Sequence, residues 1–216
     1  MTTKEKYDNW VDRICAFIEK VGPTVNGSSS AMQSPPSLNG ECKILFLGHD
    51  AHEGKYEGVN RQRFYEGNGT FKNAHKTWRY WARPHQSFQR IGKSDILNPG
   101  NFMLMNLFYF GSDNINKSNA GMGIEVMRKC IEYTEELVCD IVRPRIVVCF
   151  SVGSVFNPLH SRFTDTKHVE LTDKISIIQG LWNGIPVIGM KHPSAPNVSN
   201  HYLDTVFNYI TSFTNK

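Results

Sequence analysis

Four short apolar runs most restrict the folds open to this chain. They cover residues 43–47, 102–110, 145–150 and 185–190, and helical or polar segments separate them. An unbroken apolar run of this length is typical of a strand that is buried on both faces. Strands that alternate with helices form a parallel sheet with right-handed crossovers and helices on both sides. The pattern therefore predicts an α/β fold, a three-layer α/β/α sandwich around a central four-stranded parallel sheet.

Three segments between these runs have the spacing of amphipathic helices, with apolar side chains three and four positions apart. The pair Gly22-Pro23 is expected to end the first helix, and Pro84 is expected to interrupt a further, partly helical stretch at residues 72–91. The helices predicted from the spacing cover residues 4–21, 121–142 and 201–213.

The length of 216 residues suits one domain with a substantial hydrophobic core. Residues 1–21 are assigned to an N-terminal helix. Residues 22–40 are rich in Ser, Pro, Asn and Gly, and are expected to form a surface linker to a core at residues 41–216. Because a lone helix is not stable by itself, we expect a single domain over residues 1–216, and a monomer.

The composition favours an intracellular, cytoplasmic protein that does not contact a membrane. No apolar stretch approaches the length of a membrane span, and the N-terminus is charged where a secretory leader would be apolar. The 5 cysteines contain no C-x-x-C pair, so we expect buried free thiols, with neither a metal site nor a cofactor. The cysteines are Cys15, Cys42, Cys130, Cys139 and Cys149.

A basic stretch at residues 61–93 contrasts with the weak overall charge of +4. It holds eight Lys and Arg residues against one acid, Glu66, which gives a local charge of +7, and seven aromatic residues lie among them. Interleaved cations and aromatics suit a nucleic-acid backbone with exposed bases. A polyanion other than DNA would fit as well, and so would a solvated helix whose aromatic residues belong to the core.

Polar side chains follow or interrupt three of the apolar runs. Asp50 comes three residues after the first run, Asn106 interrupts the second, and His192 follows the fourth. The carboxyl ends of parallel strands meet at one crevice, so these groups could face one small ligand. A carboxylate can orient water, an amide can pair with the edge of a pyrimidine, and an imidazole can donate to a carbonyl oxygen that gains charge. The alternatives are an Asx turn, an amide bonded to backbone and a surface histidine.

In this order, the segments resemble the uracil-DNA glycosylase superfamily. Residues 47–52 look like the water-activating motif of that family, and residues 104–106 resemble its apolar strand that ends in the uracil-reading Asn. Residues 187–194 resemble its closing strand and His-Pro-Ser loop, and residues 145–156 its third strand and following helix. The resemblance extends over residues 43–210 and implies DNA that contains uracil or another damaged base as the partner.

The resemblance also implies a mechanism in which the damaged nucleotide is flipped out of the duplex. By similarity, Asp50 would orient the attacking water and stabilise the sugar cation. Asn106 would read the uracil edge. A neutral His192 would donate a hydrogen bond to the uracil oxygen that becomes anionic.

Further residues are implied for the base pocket and the DNA contacts. In the pocket, Gly48, His49 and His52 would surround the base, and Phe64 would stack on it, with Tyr65 as the second choice. The loop at residues 193–198 would press into the minor groove, and two serines would hold phosphates. The implied DNA contacts are Ser112, Pro193, Ser194, Pro196 and Val198.

This sequence departs from the family pattern at several positions. Ala51 stands where a proline is usual, His52 where one branch has a tyrosine, and Ala195 where a second proline is common; Glu53 adds an acid close to the DNA-facing loops. The main hypothesis is a glycosylase that hydrolyses the bond between uracil, or a related deaminated base, and deoxyribose. The alternatives are a non-catalytic nucleic-acid-binding protein of the same fold and a hydrolase that acts on free nucleosides.

Overall fold

The structure is a computed structural model that describes residues 1–25, 31–40, 42–49, 56–111 and 122–214. Within these ranges, six strands form one mixed sheet in the order β2-β1-β3-β6-β5-β4. The strands are β1 (Ile44–Gly48), β2 (Phe102–Asn106), β3 (Ile146–Phe150), β4 (Thr164–Thr172), β5 (Ile175–Trp182) and β6 (Ile185–Met190).

The described helices vary from one turn to six. The α-helices are α1 (Thr3–Val25), α2 (Arg63–Glu66), α3 (Ala74–Thr77), α4 (Arg79–Arg90), α5 (Ile124–Glu136), α6 (Asn157–Leu159) and α7 (Asn200–Thr211). Shorter 3₁₀ turns cover Phe71–Asn73, Ser94–Leu97 and His160–Arg162, and π-helical turns cover Leu137–Val142 and Val152–Phe156. No helix among the described residues is long and apolar enough to cross a membrane.

The four apolar runs supply the parallel part of the sheet, as predicted, although β2 takes only residues 102–106 of the run at 102–110. β1 lies between β2 and β3, and β6 lies beside β3, all in parallel. Nearly every residue of these strands is buried, because helices cover both faces. Leu45 and Leu47 pack on the side of α1 and α5, whereas Phe46 packs on the side of α4 and α7.

The prediction of a four-stranded, all-parallel sheet was wrong. β4 and β5 add an antiparallel hairpin next to β6, so the sheet has six strands. β4 is polar and almost entirely exposed, so it lacks the continuous apolar run from which the central strands were predicted. The turn between β5 and β6 is the dipeptide Asn183-Gly184, with φ values of 48° and 81°. Asn-Gly at such a position is a strong hairpin signal, because both residues tolerate positive φ.

The segment predicted as a surface linker has a structural role instead. Helix α1 continues through Gly22 and Pro23 to Val25, and the ring of Tyr56 packs directly on Gly22, where no side chain would fit. Residues 31–34 are buried along β2. Such a covered strand edge is no longer available for pairing with another chain.

Backbone hydrogen bonds fix that covering segment to β2. The N–H groups of Gln33 and Ser34 donate to the carbonyl of Leu104, and the N–H of Leu104 donates to Ser34 Oγ at 2.8 Å. The N–H of Asn106 donates to the carbonyl of Ala31 at 2.8 Å. A local excess of Ser and Pro did not indicate these contacts, because they depend on a strand 70 residues away along the chain.

Two helix predictions also need correction. Pro84 lies inside α4 and does not interrupt it. Ile124, which falls on the apolar face of the helix predicted at residues 121–142, is the first residue of α5 and 78% exposed. The closing helix predicted at residues 201–213 is confirmed as α7, and four of its apolar residues, three and four positions apart, are fully buried: Leu203, Val206, Phe207 and Ile210.

Candidate active site

The carboxyl ends of the four parallel strands form one edge of the sheet. Across this edge, the chain supplies Asn106 from β2, Gly48 from β1, Ser151 directly after β3 and His192 shortly after β6. The strand order reverses at β1, which has β2 on one side and β3 on the other. Ligands of open α/β sheets bind in the crevice at such a switch point. The fold thus brings Asn106 and His192 to the edge where a ligand is expected.

Asn106 is held close to β1 at the end of its strand. It is 3% exposed, lies opposite Gly48 in the parallel register, and has its N–H bonded to Ala31. A Cβ atom at Gly48 would lie 2.8 Å from Asn106 Oδ1. Only glycine therefore leaves the amide of Asn106 in this place. A buried amide with a donor and an acceptor at a sheet edge fits the predicted reading of a base edge.

His49 follows Gly48 and lies on the side of the sheet that α5 covers. It is 7% exposed, and its ring meets the edge of Phe108 at a centroid distance of 5.0 Å. Its carbonyl accepts the N–H of Phe108 at 2.9 Å. A cavity of about 470 Å³ is lined by His49 together with Arg128, Ser154 and Arg162. His49, for which a contact with the base was expected, therefore lines a cavity, and Arg128 and Arg162 lie at the wall of the same cavity.

His192 has a defined ring orientation. Its Nδ1 accepts the backbone N–H of Ser194 at 3.3 Å and lies 2.8 Å from Ser194 Oγ. A backbone N–H can only donate, so Nδ1 must carry a lone pair, and the proton of the neutral ring is on Nε2. The backbone of the loop at Ser194 thus selects the tautomer of His192 that can donate a hydrogen bond from Nε2.

Arg83 of α4 fixes the loop that carries His192. Its guanidinium donates to the carbonyl of Pro193 at 2.6 Å and to the carbonyl of Val198. Burial, with the nearby Arg79 and Arg90, lowers the pKa of Arg83, although an arginine stays charged. Arg83 is one of the cations of the basic stretch at residues 61–93, where a contact with nucleic acid was expected. In the structure it bonds the loop at residues 193–198 and holds it in place.

The loop offers fewer DNA contacts than the resemblance implied. Val198 is 3% exposed and belongs to the core beneath the loop, and Pro193 is buried too. Because Pro193 and Val198 are buried, they cannot press into the minor groove of DNA as the resemblance implied. Pro196 is exposed and Ser194 is half-buried, so these two remain accessible.

Phe64 does not stack in the crevice, contrary to the expectation. It is 2% exposed and packs edge-on against Trp10 of α1, and its carbonyl accepts the hydroxyl of Tyr7. The second choice, Tyr65, also faces α1, where its hydroxyl donates to Asp8 at 3.0 Å. Both aromatics are held by the N-terminal helix, a contact that the local sequence did not indicate.

Tyr80 is the aromatic residue that the structure places next to His192. The two ring centroids are 6.4 Å apart, and Tyr80 in turn stacks on Trp78 at 5.8 Å with an interplanar angle of 17°. In the sequence, both residues were part of the basic aromatic stretch and had no assigned role. Their position directly before and within the first turn of α4 brings them to the loop that carries His192.

Ser151 is a further candidate that the sequence marked only as part of a turn. Its φ of 131° and ψ of 125° lie in a region that side-chain-bearing residues rarely adopt. Its Oγ accepts the N–H of Ser154 at 3.2 Å, so it caps the π-helical turn after β3. Strain of this kind persists where the surrounding structure enforces it, and it is frequent at functional sites.

Three of the sequence-predicted site residues, Asp50, His52 and Ser112, lie outside the described residues. So do Ala51 and Glu53, two of the departures from the family pattern. Within the part of the chain that the structure describes, no group of three or more His, Cys, Asp or Glu residues could hold a metal ion.

The basic stretch divides into two groups. Arg61 pairs with Asp12, and Arg90 makes a bidentate ion pair with Asp204. Lys72, Lys76 and Arg79, by contrast, are exposed and have no acidic partner among the described residues. This second group is therefore available to an external anion.

Comparison of the chain with models of known protein families found no match, and comparison with curated proteins found none either.

Proposed function

We propose that this protein is a DNA glycosylase that excises uracil or a related deaminated base by hydrolysis of the N-glycosidic bond after base flipping. The observation that carries the proposal is that Asn106, at the end of β2, and His192, just after β6, lie at the same edge of the sheet. Between them lie Gly48, which leaves room for the amide, and the strained Ser151. An amide reader and an oriented imidazole are what recognition and release of a pyrimidine base require.

Asn106 supports base recognition in this proposal. Its side chain offers one acceptor and a two-proton donor, which match the adjacent N–H and carbonyl of uracil. A site that bonds a substrate through buried polar groups rejects bases with the wrong pattern, because those groups are then left unpaired. Gly48 leaves the space that the amide oxygen occupies, so the amide can keep this position at the sheet edge.

His192 supports bond cleavage in this proposal. The departing uracil gains negative charge on an oxygen, and a donor already aimed at that oxygen stabilises the transition state. The hydrogen bond from Ser194 keeps the proton of the neutral ring on Nε2, so the ring need not reorient during the reaction. Asp50, which follows His49 in the sequence, is proposed to orient the water and to stabilise the sugar cation.

An excision assay tests the proposal. A labelled oligonucleotide with one uracil is incubated with the protein as a single strand, opposite G and opposite A, and alkali then cleaves any abasic site. We expect cleavage by the wild type and a loss of about 10²–10³-fold in His192→Ala, the effect of removing one oxyanion donor. Asp50→Asn is expected to be at least as slow. His168→Ala, at an exposed position on β4, is the matched control and should retain full activity.

The other outcomes separate the alternatives. Tight, salt-dependent binding without base release would identify a non-catalytic nucleic-acid-binding protein. Turnover of free deoxyuridine but not of the oligonucleotide would identify a nucleoside hydrolase. Excision that persists unchanged in both His192→Ala and Asp50→Asn would contradict the proposed site.

A further inference from the structure

A row of aromatic rings leads away from His192 through the first turn of α4 to the segment that precedes this helix. The ring of Tyr80 follows His192 at 6.4 Å, Trp78 follows Tyr80 at 5.8 Å, and Phe71 follows Trp78 at 6.0 Å. Trp78, Tyr80 and Phe71 are each half-buried, so their rings are partly accessible. All three rings also pack against the core on this side of the sheet, which holds them in place while part of each ring stays accessible.

Exposed cations accompany this row. Lys72 follows Phe71 in the sequence and lines the same pocket, Lys76 lies two residues before Trp78, and Arg79 lies between Trp78 and Tyr80. None of these three cations has an acidic partner among the described residues. Rings for bases and free cations for phosphates are the two components of a surface that binds single-stranded nucleic acid.

The far end of the row opens into a pocket of about 320 Å³. Its wall includes Phe71, Trp81 and Phe102, together with His75 and His85, whose rings stack at 4.9 Å. Burial and the neighbouring His75 lower the pKa of His85, so this imidazole stays neutral and offers a donor and an acceptor. An apolar pocket with two hydrogen-bonding groups suits a planar heterocycle such as a base.

We propose that Trp78, Tyr80, Lys72, Lys76 and Arg79 form the contact surface for the single-stranded DNA adjoining the base that enters the crevice. This inference rests on the proposed function, because the row begins at His192. Bases of a single strand stack on the rings, and the phosphates between them contact the cations. Paired bases of a duplex are already stacked on each other and offer no free faces to these rings, so the surface gives a preference for single-stranded substrate.

A binding experiment without uracil tests this surface separately from catalysis. Fluorescence anisotropy measures the Kd for labelled poly-dT of about ten nucleotides, a length within the usual site sizes of single-strand-binding surfaces. We expect Trp78→Ala to weaken binding by about 5- to 150-fold, the effect of losing one base–aromatic stack. Trp78→Phe should retain most of the affinity, because it keeps an aromatic face for stacking. If Trp78→Ala does not fold, a large loss of affinity in Trp78→Phe would contradict the proposed stacking.

Two further variants complete the design. Lys76→Ala should reduce the slope of log Kd against log salt by about 0.7, the value for one phosphate contact on a single strand. Tyr209→Ala is the matched control, because Tyr209 is also half-buried but bonds to Gln179 of β5. Its affinity for poly-dT should equal that of the wild type.

The outcomes distinguish this inference from the proposed function. Equal affinity of wild type and a folded Trp78→Ala would overturn the contact surface, even if the wild type excises uracil. Loss of affinity in Trp78→Ala together with no excision by the wild type would support the surface and contradict the glycosylase. If excision occurs, Trp78→Ala should lose more activity on a single strand than on a duplex, and an equal loss on both would overturn the proposed preference.

Discussion

Gly48 and Asn106 form the residue pair on which the proposed recognition of a base depends. They lie opposite each other on β1 and β2, and the amide oxygen occupies the space that a Cβ at position 48 would need. The sequence predicted the position of Asn106 at a strand end, because an amide within an apolar run is conspicuous. The reason for a glycine at position 48 could not be read from the sequence, because it depends on Asn106 lying directly opposite on β2.

Gly48→Ala is expected to displace the amide of Asn106 and to reduce uracil excision by at least about tenfold, because reading by buried polar groups depends on their placement. The φ of Gly48 is not in the positive range, so the alanine variant should fold. Gly153→Ala is the matched control, since a Cβ there has open space around it. Steady-state excision rates and thermal unfolding of both variants check this. Equal excision by the two variants would contradict the role of Gly48.

The tautomer of His192 is a second expectation at the scale of one residue. Nitrogen-15 NMR of the imidazole should show the proton of the neutral ring on Nε2, because Nδ1 accepts the N–H of Ser194. The Ser194→Ala variant keeps that N–H and should keep the tautomer. A signal from the Nδ1–H tautomer in the wild type would rule out the proposed donation from Nε2.

At the scale of elements, α4 connects the sheet, the loop and α7. Arg83 bonds the loop that follows β6, and Arg90 and Ser87 bond Asp204 of α7. Burial opposes the ionisation of Asp204, but the hydrogen bonds from Arg90 and Ser87 outweigh it and hold the pKa of Asp204 below its usual value. The position of His192 therefore depends on α4, because polar side chains of this helix bond both the loop that carries His192 and the helix α7.

Asp204→Asn is expected to lower the free energy of unfolding by about 1 kcal/mol at neutral pH, after allowance for the partial exposure of the ion pair. The pKa of Asp204 is lower in the folded than in the unfolded state. Its stabilisation is therefore complete above the unfolded-state pKa near 3.9 and is lost as the pH falls through the folded-state pKa. Urea unfolding of wild type and variant from pH 7 to pH 3 checks this, and a difference that grows towards low pH would contradict it.

At the scale of the whole molecule, every cysteine is buried in the core on one side of the sheet, the side of α1 and α5. All 5 thiols are free, as predicted from the absence of paired spacings. Burial raises the pKa of Cys42, Cys130 and Cys139 to about 12, and it raises that of Cys149 further. Because the thiolate is the reactive form, the folded protein should protect its thiols.

A thiol-reactive chromogenic reagent at pH 8 should therefore react with the native protein only as fast as the protein opens, and with all 5 thiols at once in denaturant. The measurement is the time course of absorbance under both conditions. Rapid reaction of one thiol in the native protein would show that the packing around at least one cysteine is open.

The sequence by itself determined the central parallel strands, the closing helix and the presence of Asn106 and His192 at strand ends. These features follow from local patterns: continuous apolar runs must be buried, and polar residues within or just after such runs stand out. Contacts between distant segments decided the rest. The N-terminal helix took Phe64 into the core, residues 31–34 covered the edge of β2, and Arg83 fixed the loop of His192 and buried Val198. Tyr80 came to lie near His192 for the same reason, since its position depends on how α4 packs against the loop after β6 and not on its neighbours in sequence.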